Sequence, residues 1–365
     1  MTTLPTTTSE ITADWMTEAL RGSGTIGDDV TVEGVHADAG AAGVGFMGEV
    51  AIVDVQYSGD ADGAPDRVVA KFPTQSPEVR AMMHPTRVYE REHRFYENLA
   101  SSTPVRTPDV YHVTCEVSDE PDAERYMMLL EDLSGLELGD QLAGVTPEQA
   151  ESAMVGAARH HARFWDRAGL EDASYIPTIN GPLNKAGESI YNASLPGFKE
   201  VFSSALMPDM VPIAEVYGRN HPLFLDRFAA MPHTLVHFDY RADNLFFDTD
   251  GSVVVIDWQS ISIGGGAADI GYFLGQNLSI ADRRAHENDL LHRYHDTLIS
   301  EGVTGYAFEQ FFQDYRVGVI YGWVIPVFAV GSLDTSSERA MALWTAVLER
   351  VQDAIFHHNA QEFIG

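Results

Sequence analysis

Three polar side chains in the second half of the chain have the types and spacing that phosphoryl transfer requires. Asp239 and Asn244 lie five residues apart in the stretch HFDYRADNLFFD, and Asp257 follows the apolar run VVVI. In a tight loop, a carboxylate followed by such an amide can place a base beside an acceptor hydroxyl and a neutral ligand on Mg²⁺. Asp257 can then bridge the metal to nucleotide phosphates. A lone HxD match is also typical of an ordinary turn with solvated acids.

The side chains of this stretch predict different roles. Asp239 is the candidate base, which accepts the proton of a hydroxyl or orients it for in-line attack on a γ-phosphate. Asn244 and Asp257 are candidate ligands of Mg²⁺, because this hard cation prefers oxygen atoms. His237 is expected to order the loop by hydrogen bonding rather than to take part in the chemistry.

Lys71 lies in RVVAKFP, an apolar run in which a charged residue is out of place. A buried lysine requires an anionic partner, and either a nucleotide phosphate or a carboxylate would provide one. Glu92 is a suitable carboxylate, since the following helix EREHRFYENL turns Phe95 and Tyr96 onto the sheet beside it. The alternative is a lysine on an exposed edge strand.

A glycine-rich segment, AGAAGVGFMGEV, precedes this lysine. Its glycines allow the backbone to approach a phosphate closely, where amide hydrogens could surround it. A glycine-rich hairpin is also commonly just a turn. The segment matches neither GxxxxGK[ST] nor a strand-loop-helix fingerprint, which excludes a P-loop and a Rossmann site.

The first part of the chain predicts a mostly antiparallel sheet with one helix packed on it. Short β-rich runs separated by turn formers extend from Val30 to about Leu133, and the helix lies around Val88 to Ala100. A short amphipathic helix near Ile11 to Leu20 precedes them, with Ser9 or Thr12 as its cap.

After Gly135 the chain is predicted to be mainly helical. Pro147 suits the first turn of a long helix, and Leu235 to Asp257 predicts a loop followed by a β-hairpin. The segment 176–222 is rich in Gly, Pro and Asn, which indicates irregular structure with short helices.

The charge balance excludes some partners. The 365 residues include 23 basic and 54 acidic side chains, which gives a net charge of -31. Such an excess of acid repels phosphate backbones and anionic lipid, so no nucleic acid or membrane partner is expected. The acidity either reflects a solvated surface or favours a cationic substrate.

Cys115 is the only cysteine, which excludes an internal disulfide and a thiolate metal cluster. The N-terminus MTTLPTTTSEITADW has neither the basic start nor the apolar run of a secretory signal. The longest apolar stretch, Tyr321 to Val330, is too short to span a bilayer. A cytoplasmic protein is expected.

Two further groups of residues are predicted to be mainly structural, with the paired histidines among them either structural or at the surface. Adjacent histidines on a helix point about 100° apart and do not easily bind one ion; these pairs are His160-His161 and His357-His358. Three aromatics near the C-terminus are expected either to pack in the core or to line an acceptor pocket; they are Tyr315, Trp323 and Phe328.

Taken together, these motifs resemble the superfamily of aminoglycoside phosphotransferases and choline kinases, and within it the ecdysteroid kinase-like branch of small-molecule kinases. The resemblance extends from Gly43 to Leu274, and the strings that carry it occur in order; they are GVGFMGEV, VVAKF, EREHRFYENL, MLLEDLSG, AARHHARFW, LVHFDYRADNLFF, VVVIDWQ and GGGAADIGYFL. Their joint occurrence is far more specific than any one string.

The resemblance implies an α+β, bilobal, protein-kinase-like fold, with an antiparallel sheet and a helix in the N-lobe and a mainly helical C-lobe. Residues 1–133 would form the nucleotide-binding lobe and end in a hinge. Residues 134–365 would contain the catalytic loop and the acceptor pocket, with ATP held between the lobes.

The resemblance also implies which residues contact the nucleotide. Lys71, held by Glu92, would position the α and β phosphates. The glycine loop would cover the phosphates, through Gly43, Gly45, Phe46 and Met47. The hinge would meet the adenine through Leu130, Glu131 and Leu133.

Two departures from common patterns accompany the resemblance. The family usually has glycine between the histidine and the aspartate, whereas this chain has Phe238, which could reshape the acceptor pocket. DWQ replaces the DFG of protein kinases, as expected in the resembled branch. Asp269, in GAADIGYF, is by resemblance structural and ties the catalytic region to the helices behind it.

The sequence thus predicts an ATP- and Mg²⁺-dependent kinase that phosphorylates a hydroxyl group of a small molecule. A protein kinase is one alternative, but the chain has no APE-like element and no obvious activation segment. A nucleotide-binding scaffold without activity and a metal-dependent hydrolase are the others. Aminoglycoside, sterol, amino alcohol, sugar and hydroxy-acid acceptors all remain open, as do ATP against GTP preference and oligomeric state.

Overall fold

The computed structural model describes residues 4–38, 48–332 and 335–364. The chain divides into two compact units. Unit 1 consists of Met1–Ser102 and Thr107–Gly135, and unit 2 consists of Thr103–Arg106 and Leu136–Gly365. The mixed α+β class predicted from the sequence is confirmed, with an antiparallel sheet in unit 1 and mainly helices in unit 2.

Unit 1 is built on one antiparallel sheet of five strands in the order β1-β2-β3-β5-β4. The strands are β1 (Thr31–Asp38), β2 (Gly48–Ser58), β3 (Arg67–Pro73), β4 (Val110–Glu116) and β5 (Arg125–Glu131). The alternation of apolar and polar residues along β3 places Val68, Ala70 and Phe72 in the core. Strand β3, which contains Lys71, is the central strand of the five, with β2 on one side and β5 on the other.

Among the described residues of unit 1, three helices accompany this sheet; they are α1 (Ala13–Gly22), α2 (Pro77–Met83) and α3 (Val88–Asn98). The Thr12 side chain caps α1 by accepting the N–H of Trp15 at 3.1 Å, as one of the two predicted caps would. Trp15, Met16 and Leu20 of α1 bury their side chains in one core cluster with residues of β2 and β3. Burial of this apolar face supplies most of the stability of so short a helix.

The described part of unit 2 contains two small antiparallel sheets, with strand orders β6-β8-β9 and β10-β7. Their strands are β6 (Glu137–Leu138), β7 (His233–Val236), β8 (Leu245–Phe247), β9 (Val253–Val255) and β10 (Ser262–Gly265). The β8-β9 pair is the hairpin predicted after the HFDYRADN loop. These short strands fix both ends of the segment that contains the candidate catalytic side chains.

Eight helices of the described chain form the rest of unit 2. They are α4 (Pro147–Arg163), α5 (Pro182–Lys185), α6 (Gly187–Val201), α7 (Met210–Ala229), α8 (Ala267–Asn277), α9 (Ile280–Ser300), α10 (Phe308–Ala329) and α11 (Glu338–His357). Pro147 lies in the first turn of α4, as predicted, and Thr146 and Gln149 form a capping box around it. Helices α8 and α10 approach so closely that a Cβ on Gly271 would lie 2.2 Å from the backbone of Gly318.

The prediction of irregular structure with short helices over 176–222 holds only around the short helix α5, because most of the segment after it lies in the long helices α6 and α7. Helices α6 and α7 continue through Pro196 and Pro222. A proline inside a helix removes one backbone hydrogen bond and disfavours the preceding turn. Here the buried aromatic faces of both helices, which include Tyr191 and Phe198 of α6 and Phe228 of α7, outweigh that cost.

Within the part of the chain that the structure describes, none of the helices combines the length and the apolar character of a bilayer-spanning segment.

Candidate active site

The loop between β7 and β8 has its backbone fixed by one buried carboxylate. Asp269, at the start of α8, is fully buried. Its Oδ2 accepts the backbone N–H of His237 at 2.7 Å, and its Oδ1 accepts the backbone N–H of Phe238 at 2.8 Å. His161 of α4 contacts Oδ2 at 3.1 Å. The sequence-based role of Asp269, which is to tie this loop to the helices behind it, matches these contacts.

Phe238 adopts a left-handed backbone conformation, with φ of 65°. A residue with a Cβ rarely adopts this conformation, and glycine adopts it without cost. The ring of Phe238 stacks on that of Tyr321 with 4.4 Å between centroids, and the Tyr321 hydroxyl donates to the Phe238 carbonyl at 2.9 Å. These two contacts stabilise an otherwise unfavourable backbone.

The conformation at Phe238 presents the carboxylate of Asp239 to three donors. Asn244 Nδ2 donates to Oδ2 at 3.0 Å, and the Tyr272 hydroxyl donates to Oδ1 at 3.1 Å. Arg241 Nε lies 3.4 Å from Oδ1 and 3.5 Å from Oδ2. Each carboxylate oxygen offers about two lone pairs, so the carboxylate keeps acceptor capacity beyond these contacts.

Burial raises the pKa of Asp239 above its ordinary value. The guanidinium of Arg241 opposes this rise, whereas the nearby carboxylate of Asp257 adds to it. Burial likewise raises the pKa of Tyr272 well above 10, so that its hydroxyl keeps its proton and acts as the donor. The carboxylates of Asp239 and Asp257 thus meet the guanidinium of Arg241, which also pairs with Asp243 Oδ2 at 2.7 Å, beside a protonated phenol.

Asn244 and Asp257 are brought together by the backbone of the hairpin. The N–H of Ile256 donates to the Asn244 carbonyl at 3.0 Å, directly before Asp257 in the chain. The ring of His237 contacts the Ile256 carbonyl at 2.9 Å, which agrees with its predicted ordering role. Asp257 has a left-handed backbone, with φ of 66°, and accepts from Gln259 Nε2 at 3.1 Å.

The residues present suit a divalent cation. Asn244 uses its amide nitrogen for Asp239, to whose carbonyl it donates at 2.9 Å as well as to the carboxylate. Its amide oxygen is thereby directed away from these bonds. The oxygen of Asn244 and the carboxylate of Asp257 form the hard donor set that Mg²⁺ prefers, and a cation would relieve the repulsion between the carboxylates of Asp239 and Asp257.

In unit 1, Lys71 pairs with Glu92. Nζ lies 2.8 Å from each carboxylate oxygen, and the side chain of Glu92 is 1% exposed. The hydroxyl of Tyr126 donates to Glu92 Oε2 at 2.6 Å. Because β3 has neighbours on both sides, the alternative of a lysine on an edge strand is wrong. This lysine is held in the sheet by a buried carboxylate.

The remaining nucleotide-contact predictions concern two segments of unit 1. Those in the glycine loop lie outside the described residues; they are Gly43, Gly45, Phe46 and Met47. Leu130 and Glu131 end β5, and the backbone N–H of Glu131 donates to the Asp109 carbonyl at 2.8 Å. Among the described residues, none accepts a hydrogen bond from the backbone N–H of Leu133. Leu133 therefore has a donor that a ligand could use.

The sequence model of the ecdysteroid kinase-like family matches residues 42–302. The chain belongs to this family. No curated protein matches the sequence significantly. The family membership confirms the resemblance inferred from the motifs between Gly43 and Leu274.

Solved structures with the same fold are small-molecule kinases by their descriptions. The choline kinase from Cryptosporidium parvum Iowa II is 12% identical, with a TM-score of 0.53, and the match covers 89% of this chain and 91% of that chain. The GDP complex of a mutant aminoglycoside 2′-phosphotransferase-IIIa is 13% identical, with a TM-score of 0.53, and the match covers 91% of this chain and 95% of that chain. At these identities the likeness establishes the kinase-like fold alone.

Two residues of the site in this ecdysteroid kinase-like protein escaped prediction from the sequence. Arg241 follows Asp239 by two residues in the same loop. This proximity to a candidate base was the signal in the sequence that could have identified it. Tyr272 follows Asp269 by three residues on α8, so both lie on one helix face. The predicted anchoring role of Asp269 was thus the available signal for Tyr272.

Of the groups predicted to be structural, His160, His161, Tyr315 and Trp323 are buried, whereas the His357 side chain is 41% exposed. His160 contacts the Thr103 hydroxyl at 2.7 Å, and His161 contacts Asp269 and Tyr294. Trp323 Nε1 donates to the Tyr191 hydroxyl at 2.8 Å. The ligand atoms of Glu287, His357 and His358 lie within 4.8 Å of one another. However, Arg283 Nη1 lies 3.3 and 3.4 Å from the two imidazoles, and this cation would oppose a metal ion there.

Proposed function

We propose that the protein is an ATP- and Mg²⁺-dependent phosphotransferase that phosphorylates a hydroxyl group of a small molecule by direct in-line transfer. The observation that carries the proposal is the environment of Asp239. Its carboxylate accepts a hydrogen bond from Asn244, and the nearby charge of Asp257 raises its pKa. Membership of the ecdysteroid kinase-like family and the kinase-like fold support it.

In this reaction Asp239 acts as the base. It takes the proton of the acceptor hydroxyl as the hydroxyl oxygen bonds to the γ-phosphorus. The bond from that phosphorus to the oxygen that bridges the β and γ phosphates breaks, and ADP leaves with its electron pair. The raised pKa of Asp239 supports the role, because a base is most effective when its pKa approaches the working pH.

Other residues hold the phosphoryl donor. Asn244 and Asp257 hold Mg²⁺, which supplies positive charge against the negative charge of the phosphate oxygens. Lys71, fixed by Glu92, positions the α and β phosphates. The glycine loop covers the phosphates through Gly43, Gly45, Phe46 and Met47, and the adenine meets the backbone at Leu130, Glu131 and Leu133.

We assign nucleotide binding to residues 1–133 and the catalytic loop with the acceptor pocket to residues 134–365. The acceptor is a hydroxylated small molecule, and Phe238 beside the base is expected to shape its pocket. We place the protein in the cytoplasm, with neither nucleic acid nor a membrane as partner.

Release of ADP by the purified protein with Mg²⁺ tests the proposal. The acceptor panel contains aminoglycosides, sterols, amino alcohols, sugars and hydroxy acids, together with an unstructured protein substrate. Asp239→Asn is the blank. Asp250→Asn makes the same chemical change at the exposed turn of the β8-β9 hairpin, and we expect it to keep wild-type turnover.

Each outcome separates one alternative. Acceptor-dependent ADP release that Asp239→Asn abolishes and Asp250→Asn retains supports a small-molecule kinase. Phosphorylation of the protein substrate alone indicates a protein kinase. Thermal stabilisation by Mg-ATP without any turnover indicates a nucleotide-binding scaffold, and stabilisation by Mg²⁺ alone, without an effect of ATP, indicates a metal-dependent hydrolase.

A further inference from the structure

Helix α8 contacts the catalytic loop at two points that lie on one face. Asp269 and Tyr272 are three residues apart, which places them on neighbouring turns of the same face. Asp269 accepts the backbone N–H groups of His237 and Phe238. Tyr272 donates instead to the side chain of the next residue, Asp239. Helix α8 thus fixes the backbone of His237 and Phe238 through Asp269, and the carboxylate of Asp239 through Tyr272.

The contact from Tyr272 determines one side of the Asp239 carboxylate. Asn244 Nδ2 donates to Oδ2 at 3.0 Å, and Tyr272 Oη donates to Oδ1 at 3.1 Å. Arg241 Nε lies almost equally far from the two oxygens, at 3.4 and 3.5 Å, and does not distinguish them. Without the Tyr272 hydroxyl, Oδ1 would keep only the distant guanidinium, and the carboxylate could rotate about its Cβ–Cγ bond.

The hydroxyl of Tyr272 is itself held in place. Its side chain is in the core, 2% exposed, and its ring centroid lies 5.4 Å from that of Tyr321. Tyr321 in turn donates to the carbonyl of Phe238 at 2.9 Å. The close approach of α8 and α10 at Gly271 and Gly318 fixes the helix directly beside Tyr272. A donor on so rigid a support can define the orientation of its acceptor.

We infer that Tyr272 is a positioning residue, which holds the Asp239 carboxylate in the rotation that directs its remaining acceptor capacity at the hydroxyl to be phosphorylated. The inference rests on the proposed function. It requires that the phenol keep its proton throughout the reaction, so that Tyr272 orients the base and exchanges no proton with the substrate. A buried tyrosine needs a partner for its hydroxyl in any protein, so the test must separate orientation from simple satisfaction of that hydroxyl.

Tyr272→Phe removes the donor and keeps the ring. Tyr306→Phe is the matched control, because Tyr306 is also buried and donates to a carboxylate, that of Asp314, at 2.8 Å. For Tyr272→Phe we expect kcat to fall by about tenfold to a hundredfold, since a misplaced catalytic group typically costs that much. KM for ATP and for the acceptor should stay within about twofold of the wild type, because the lost bond is to the base and not to a substrate.

Crystal structures of the wild type and of Tyr272→Phe give a readout that does not depend on turnover. We expect the Asp239 carboxylate to rotate or to occupy two orientations in the variant. If the wild type phosphorylates an acceptor but Tyr272→Phe has an unchanged kcat, or loses no more than Tyr306→Phe, the inference is overturned while the proposed function stands. If the wild type phosphorylates nothing, the proposed function fails. In that case the crystal structures still test the contact. An Asp239 carboxylate that keeps its orientation in Tyr272→Phe overturns the inference as well, whereas a rotated carboxylate upholds the positioning contact.

Discussion

The ring of Phe238 lies stacked on the ring of Tyr321, with 4.4 Å between centroids and 15° between planes. Phe238 has a φ of 65°, which costs a residue with a Cβ roughly 1–2 kcal/mol relative to glycine. The stacked pair offsets part of this cost, since such pairs contribute about 0.5–1.5 kcal/mol beyond the area they bury. The backbone conformation and the stacking can be separated by two substitutions.

We expect Phe238→Ala to be less stable than Phe238→Gly by about 1 kcal/mol, because both lose the stacked ring and only alanine keeps a Cβ at positive φ. Urea unfolding of the two variants measures the difference directly. Equal midpoints would contradict the left-handed conformation at this position. Tyr321→Phe, which keeps the ring and loses its bond to the Phe238 carbonyl, separates the hydroxyl from the stack.

The ion pair of Lys71 and Glu92 should be strongly coupled. Lys71→Met leaves a carboxylate that is 1% exposed without its cation, and breaking a buried pair in this way typically costs about 3–5 kcal/mol. The double variant Lys71→Met/Glu92→Gln should be more stable than the sum of the single changes predicts, with a coupling of roughly 1–3 kcal/mol. Urea unfolding of the four proteins gives the double-mutant cycle.

Arg94 and Glu90, one turn apart on α3, provide a partly exposed control pair, in which the Glu90 side chain is 17% exposed. Nε and Oε1 lie 2.8 Å apart, but the Arg94 side chain is 45% exposed. Solvent screens such a pair, so the cycle of Arg94→Met and Glu90→Gln should give about 0.5 kcal/mol or less. A coupling at Lys71 and Glu92 no larger than this would contradict the buried pair.

The prediction for Lys71 and Glu92 concerns residues whose pairing was within reach of the sequence. Glu92 was expected to pair with Lys71 because a charged residue in an apolar strand needs a partner and the next helix supplied one. Likewise, Asp239, Asn244 and Asp257 lie in one loop and the hairpin that follows it, so their types and spacing along the chain indicated a common site. Where the partner is local, or belongs to an element with a clear pattern, residue types and spacing suffice.

Other features depended on contacts that no local pattern encodes. The bond from Tyr272 to Asp239 requires α8 to dock behind the loop, over a sequence separation of 33 residues. The Gly, Pro and Asn content of 176–222 indicated irregular structure with short helices, but the buried aromatic faces of α6 and α7 overrode this local signal. The left-handed backbone of Phe238 was also unexpected from its residue type, because the stack that stabilises it involves α10.

Asp269→Asn should release the loop between β7 and β8. An amide has one oxygen, so its NH₂ group would face one of the two backbone N–H donors that Asp269 now accepts. The variant would lose one buried hydrogen bond from a backbone N–H to a charged carboxylate, and the new NH₂ group would face that N–H. We expect this to destabilise the protein by about 3 kcal/mol. Asp226→Asn, at an exposed carboxylate that contacts Lys185, should leave the thermal midpoint unchanged. Equal shifts in the two variants would contradict the anchoring role.

Cys115 should react slowly in the native state. Burial raises the pKa of its thiol to about 12, so roughly 10⁻⁴ of it is thiolate at pH 8, and the thiolate is the reactive form. Since the chain has no other cysteine, labelling by a thiol reagent reports on this one half-buried thiol of β4. We expect the labelling rate to rise steeply through the urea unfolding transition, and native labelling as fast as that of a free thiol would contradict the burial.

The carboxylate of Glu287 should make stability depend on pH in the acid range. Burial favours a higher pKa, but His358 at 2.8 Å and the guanidinium of Arg283 outweigh it and lower the pKa from 4.5 to about 2. A group with a depressed pKa in the folded state stabilises that state above its unfolded pKa, and this contribution is lost as pH falls from about 4.5 towards 2. Tyr315 also donates to this carboxylate.

Glu287→Gln should therefore lower the free energy of unfolding at pH 7 by about 3 kcal/mol, because it leaves a buried guanidinium without one of its partners. The deficit should shrink as pH falls from 4.5 towards 2, since the wild-type carboxyl then loses its own charge. Glu362→Gln is the control, because Glu362 is 55% exposed in its pair with Arg316 and should contribute under about 1 kcal/mol at every pH. Urea unfolding of the three proteins from pH 3 to pH 7 measures both effects, and a deficit for Glu287→Gln that stays constant with pH would show that the ionised carboxylate is not its source.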